Sequence, residues 1–69
     1  MLTYKIFPGV IKKKMESVEG LWEVEFFNTV TKSFYTDFIY AEKRNDVFVP
    51  GDKVKIIDNS FRTILERWE

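Results

Sequence analysis

Apolar and polar residues alternate with a period of two along several short runs of this chain, and turn residues separate the runs. The clearest case is Val47 to Asp58, V-F-V-P-G-D-K-V-K-I-I-D. Pro50 presets φ for the second position of a type II turn, and Gly51 accepts the positive φ needed at the third. After that turn Val54 and Ile56 alternate with Lys53 and Lys55, which predicts a strand with one buried face. Asp58-Asn59-Ser60 then supplies a second turn.

The same pattern predicts a central hairpin. Leu21 to Phe27 places Trp22, Val24 and Phe26 on one face and Glu23 and Glu25 on the other. Asn28 to Lys32 reads as a polar five-residue connection. Ser33 to Tyr40 follows, with Phe34, Thr36, Phe38 and Tyr40 on one side and Tyr35, Asp37 and Ile39 on the other. Pairing Phe27 with Ser33 sets Phe26 opposite Phe34, Val24 opposite Thr36 and Trp22 opposite Phe38, pairs that stabilise a sheet face by a few tenths to about 1 kcal/mol each. It also sets Glu23 against Asp37, a like-charge pair that counts against this register.

At the N-terminus, Met1 to Phe7 reads as a short strand with Leu2, Tyr4 and Ile6 on one side. Pro8-Gly9 is expected to break it by a turn or sharp bend. Val10 to Met15 resumes an extended segment. Its lysines, Lys12, Lys13 and Lys14, fit a barrel rim or sheet edge, where lysine discourages edge-to-edge pairing. A phosphate-binding patch is the alternative reading. Glu16 to Gly20 is a loop. Ala41 to Asp46 is a charged connection that admits a short helical turn.

Two readings stand for the last segment. Phe61, Ile64, Leu65 and Trp68 have the spacing of an amphipathic helix face, with Asn59 or Ser60 as N-cap. As a strand entered through an Asn59-Ser60 turn, the segment sets Val54 opposite Leu65 and Ile56 opposite Thr63. It also sets Lys53 opposite Glu66 and Asp52 opposite Arg67, both attractive pairs. That complementarity, and the need to cover a barrel edge, favour the strand. The expected fold is a single all-β domain over residues 1–69, a small, partly open five-stranded barrel of the OB or SH3-like type. A short helix at 41–46 or at the C-terminus stays open. The expected core is Ile6, Val10, Trp22, Val24, Phe26, Phe34, Phe38, Val54, Ile56 and Leu65.

Composition narrows the function. With 69 residues the core can be only just sufficient, and 45% hydrophobic and 17% aromatic content compensates with large side chains. There is no cysteine, hence no disulfide and no thiolate metal site, and no histidine, hence no imidazole base or ligand. Eleven basic and eleven acidic residues cancel, unlike the basic balance of a duplex-DNA binder. No apolar run approaches bilayer length, and Lys5 and Pro8-Gly9 interrupt any signal-peptide pattern, so a soluble cytoplasmic protein without direct membrane insertion is expected. Ser17, Ser33 and Ser60 have no histidine to activate them. Glu23, Glu25 and Asp37 form a carboxylate cluster suited in principle to a divalent cation or an acid pair, but a solvated sheet face has the same pattern. No phosphate-binding glycine motif is present. The expectation is therefore no enzyme, with no catalytic, cofactor-binding or metal-binding residues.

What remains is binding. Aromatics interleaved with lysines, Phe27, Tyr35 and Tyr40 with Lys12, Lys13, Lys14 and Lys32, could stack and neutralise single-stranded nucleic acid. Glu23 and Glu25, expected on the same outer face as Phe27 and Tyr35, would repel phosphate. An exposed aromatic patch rimmed by charge fits a protein partner better, and homo-oligomerisation is open.

V-P-G-D-K-V-K-I-I-D leading into a final edge segment resembles the small barrels of the OB and SH3-like superfolds. More narrowly, Phe48 to Leu65, with Pro50-Gly51-Asp52, Val54 and Ile56, is similar to the closing hairpin of NfeD-type C-terminal OB domains, whose tail has a turn-G-x-x-V-x-V pattern. The Pro8-Gly9 break, the triple lysine and the aromatic-heavy hairpin depart from that family. The resemblance implies an assembly or scaffolding role beside a membrane protein.

Overall fold

A computed structural model describes residues 4–43, 47–59 and 61–68. These residues form one antiparallel sheet of five strands, β1 (Tyr4–Lys14), β2 (Leu21–Asn28), β3 (Ser33–Tyr40), β4 (Lys53–Asn59) and β5 (Thr63–Arg67), in the order β3-β2-β1-β4-β5. The sheet curls until the end of β3 meets β5. Ala41 forms a parallel bridge with Leu65, and the Glu42 N–H donates to the Leu65 carbonyl at 2.8 Å. From Ser33 to Phe38, β3 pairs only with β2, so the barrel is partly open there. No helix occurs among the described residues.

The central strand explains the curl. The predicted break at Pro8-Gly9 does not occur: β1 runs unbroken through both residues. Its ladder with β4 covers Tyr4 to Val10, whereas its ladder with β2 begins only at Gly9. Proline has no N–H for a second ladder, so Pro8 sits where the β2 ladder has ended and only β4 remains. At Gly9 the two ladders overlap. A Cβ there would lie 3.0 Å from Ile56 Cδ1 and 3.1 Å from both the Glu25 carbonyl oxygen and Phe26 Cβ. Glycine is required because the neighbouring strands close in on it from both sides.

Phe7, Ile11, Trp22, Val24, Ile39, Ala41, Phe48, Val54, Ile56 and Leu65 are buried, with Phe26 packed against them. Ile6, Val10, Phe34 and Phe38, expected inside, are exposed. In β1 both parities are apolar, and the inward set is Phe7, Gly9 and Ile11. In β3 the inversion comes from register. Asn28 is not part of the connection but pairs with Ser33, and its Oδ1 accepts the N–H groups of Val30 and Thr31 at 2.9 and 3.1 Å. Lys32, at φ 57°, closes the loop. The consequent one-residue slip puts Ile39 opposite Trp22 and Asp37 opposite Val24, and turns Phe34, Thr36, Phe38 and Tyr40 outward. It also separates Glu23 from Asp37.

The C-terminal segment is a strand, and the helix alternative is excluded because Thr63 to Arg67 pairs with β4. Asn59 again joins the ladder end: its N–H donates to the Arg62 carbonyl, and its Oδ1 accepts from Phe61 and Arg62 at 2.8 and 2.9 Å. Val54 consequently pairs with Arg67 and Ile56 with Leu65, two positions from the expected register. An even slip preserves sidedness, so Leu65 remains inside. The helical turn expected over 41–46 falls partly on 44–46, outside the described residues; Ala41 to Lys43 form a bridge and a bend.

The Pro50-Gly51 turn forms as expected. The Asp52 N–H donates to the Val49 carbonyl at 3.0 Å, and Gly51 has φ 97°. The turn is tied to β1 by Gly51 N–H to Ile11 carbonyl (2.9 Å) and Ile11 N–H to Asp52 carbonyl (3.0 Å). These contacts hold the segment that carries Phe48, whose ring meets Trp22 edge-on at 5.1 Å. Arg67 covers Phe48 from the other side, 4.8 Å above the ring, and donates to the Val47 carbonyl at 2.8 Å. Its second nitrogen reaches Asp52 at 3.4 Å, so the Asp52–Arg67 attraction expected from sequence is present.

Gly9→Ala is expected to lower stability by about 1–3 kcal/mol, because backbone and packed side chains must shift. Gly51→Ala, which meets no atom within 4 Å, should cost about 1–2 kcal/mol through its left-handed φ alone. Urea denaturation of both variants checks this. A Gly9→Ala variant as stable as the native chain would show that the strands do not converge there.

Candidate binding face

The residues singled out from sequence fall in two places. Phe27, Lys32 and Tyr35 belong to the tip of the β2–β3 hairpin, while Lys12, Lys13, Lys14 and Tyr40 stand at the far end of the sheet. Phe27 is four positions along β2 from Glu23, the partner of Lys13, which separates the two groups by about 13 Å at ~3.3 Å per residue. Lys12, Lys13 and Lys14 are all exposed. A bulge between Ile11 and Lys13 sets Lys12 and Lys13 against Glu23 alone. This basic run is thus paired across the ladder with a carboxylate of the same sheet.

Phe27 and Tyr35 do not share a face, as the earlier register required. Tyr35 follows the inner parity, tilts against Phe26 at 5.9 Å and donates its hydroxyl hydrogen to Thr31 Oγ1 at 3.1 Å. Phe27 is on the outer side, edge-on to Phe34 at 5.0 Å. Asp37 has moved to the inner parity with Tyr35, away from Glu23 and Glu25. The carboxylate trio expected on one face is dispersed, and among the described residues no group of three or more acidic side chains is placed to hold a metal ion. No helix of the described residues is long and apolar enough to cross a membrane.

The outer face gathers a different set. Pro8, Val10, Phe27, Phe34 and Trp68 line an open groove of about 530 Å³, in which Glu25 and Lys53 flank Val10 on the neighbouring strands. Trp68 reaches it because its N–H donates to the Lys53 carbonyl at 3.2 Å, which extends the β4–β5 ladder one residue beyond β5 and turns the indole outward. Phe34 is 69% exposed and Trp68 47%. A shallower hollow of about 350 Å³ lies farther along the same face, lined in part by Tyr4, Ile6, Ile57 and Phe61. Lys55 and Glu66, paired across β4 and β5, border it. Of these aromatics the sequence pattern places Phe27 outside, as found, Phe34 in the core, and Phe61 and Trp68 on the face of an alternative helix. The available signal was that β1 and β3 are apolar at both parities, more than one small interior can hold.

No family model, curated protein or solved structure matches this chain significantly.

Burial separates the aromatics by role. Phe48→Ala, which empties the space between Trp22 and Arg67, is expected to cost about 3–5 kcal/mol. Phe34→Ala should cost only about 1 kcal/mol, the value of its edge-on contact with Phe27. Thermal and chemical denaturation of the pair tests the assignment, and equal losses would contradict it.

Proposed function

We propose that this chain is a non-catalytic protein-binding module and that its outer sheet face is the contact surface. The observation that supports this reading is the groove lined by Pro8, Val10, Phe27, Phe34 and Trp68, with Glu25 and Lys53 interspersed among them. Monomeric soluble proteins seldom gather several large apolar side chains on one exposed face, and protein interfaces are enriched in aromatic side chains with polar groups among them. The partner chemistry that fits is a surface presenting aliphatic or aromatic side chains, with charges able to meet Glu25 and Lys53.

Single-stranded nucleic acid is the second reading. It is less well supported, since Glu25 borders the groove and the lysines Lys12 to Lys14 lie beyond Glu23. The strand order, with a parallel contact between the end of β3 and β5, supports the OB-type reading of the barrel over the SH3-like one. An assembly role of the kind implied by the NfeD-type resemblance would use this same face.

Affinity capture with the native chain, compared with Phe34→Glu and Trp68→Ala, tests the proposal. A partner retained by the native chain and by a Lys12/Lys13/Lys14→Ala variant, but lost from both groove variants, is expected. Titration with labelled DNA and RNA oligonucleotides at low salt, where phosphate contacts are strongest, should show no binding. Oligonucleotide binding abolished by the triple-lysine change would replace the protein-partner reading with the nucleic-acid one.

A further inference from the structure

We infer that the free edge of β3 pairs with β3 of a second copy of this chain, antiparallel and two-fold symmetric about Thr36. The inference rests on the strand edge, and is independent of what occupies the outer groove.

The backbone geometry defines the available groups. The Ala41 N–H donates to the Gly20 carbonyl at 2.9 Å, toward β2, whereas the Glu42 N–H points away to Leu65. Hydrogen-bonding direction alternates along an antiparallel strand. Odd-numbered residues of β3 therefore bond to β2, and Phe34, Thr36 and Phe38 direct their N–H and C=O groups off the edge. Closure onto β5 begins only at Ala41, so these groups have no strand partner. The Phe38 N–H is satisfied locally, by Asp37 Oδ1 at 2.8 Å.

The one charge on this edge is Asp37, on the inner parity, which caps the Phe38 N–H. Ser33 to Phe38 contains no lysine, no proline and no bulge, other devices that blunt edge strands. The opposite edge strand, β5, is short, carries Glu66 and Arg67, and already meets Ala41 through Leu65.

Self-complementarity selects the second copy as occupant. For two sheets to join with outer faces on the same side, opposed residues must have the same parity. Centring on Thr36 sets Thr36 against Thr36, Phe34 against Phe38 and Tyr35 against Asp37 of the other copy, each heterologous pair occurring twice. Thr36–Thr36 and Phe34–Phe38 would exchange both backbone hydrogen bonds, because these are the outward-facing groups. The Phe34 carbonyl would take the Phe38 N–H from Asp37, leaving that carboxylate opposite the phenol of Tyr35. Moving the axis to Asp37 opposes two carboxylates, a destabilising pair. Moving it to Tyr35 sets Phe34 against Thr36 and Phe38 against Lys32, so neither phenyl ring meets another aromatic. Centred on Thr36, the register pairs both phenylalanine rings with each other across the seam, sets the Asp37 carboxylate opposite the Tyr35 phenol, and opposes no like charges.

Sedimentation equilibrium across the micromolar to millimolar range is expected to show the native chain reaching twice its monomer mass. Thr36→Lys, an exposed outer-face change that places two ammonium groups on the axis, should remain monomeric, with an unchanged circular dichroism spectrum and melting temperature. Thr36→Cys, in a chain that has no other cysteine, should form a disulfide-linked dimer on mild oxidation. Val30→Cys, exposed in the hairpin loop and away from the axis, should not. The inference is overturned by a monomer at all concentrations, by a dimer that Thr36→Lys leaves intact, or by cross-linking equal at both cysteine positions. Dimerisation lost in Thr36→Lys but kept in Trp68→Ala, which lies beyond β5 and away from the β3 edge, would sustain it even if the outer groove proves to bind nothing.

Discussion

The fold depends on one crowded point, the passage of Gly9 between β2 and β4. Strand β1 serves two ladders that overlap only at Gly9 and Val10. Were β1 paired with both neighbours along its whole length, the sheet would stay open, and β3 and β5 would lie on opposite edges. Because Pro8 lacks an N–H and Gly9 lacks a Cβ, the two halves of the sheet can rotate until Ala41 meets Leu65. The pair that looks like a break in the sequence is what lets a continuous strand turn.

Closure by a single bridge would leave an unfilled end, and the connection between β3 and β4 fills it. Phe48 enters the interior beside Trp22, and Arg67 covers its outer ring face while bonding the backbone at Val47. The Arg67–Asp52 contact is half-exposed and on its own would stabilise little. Its value is geometric, because it ties the last strand to the turn that carries Phe48. Trp22 Nε1 is buried there without an acceptor, a cost of about 1–3 kcal/mol that surrounding apolar burial must offset.

The sequence made the strands and their order of appearance legible, and it made the Val54, Ile56 and Leu65 face legible even though the β4–β5 register was displaced. It did not make the β3 face legible. Both errors came from asparagine at a ladder end: Asn28 and Asn59 each sit within a strand while their side chains cap the turn. At Asn59 the resulting slip is even and harmless to sidedness; at Asn28 it is odd and inverts the whole strand. The opposition of Glu23 and Asp37 was the available warning, since it belonged to the wrong register. Phe48 was hidden for a different reason. It lies in an irregular segment, where periodicity carries no information about direction. The outer groove was hidden by the same inversion, which had placed Phe34 in the interior.

Strand β3 contributes little to the interior: only Ile39 is buried within it, with Ala41 just beyond. Phe34, Phe38 and Tyr40 face outward, and Tyr35 and Asp37 face an interior that the open side leaves exposed. The fold therefore asks little of β3 beyond its backbone and one isoleucine. Apart from the contacts of Phe34 with Phe27 and Tyr35 with Phe26, threonine and short polar residues would pair with β2 at these positions and would remove the cost of exposing rings to water. The aromatic content of this strand is not explained by the barrel it completes. It is explained if the exposed rings are covered in an assembly, where their apolar area is removed from water after folding rather than during it.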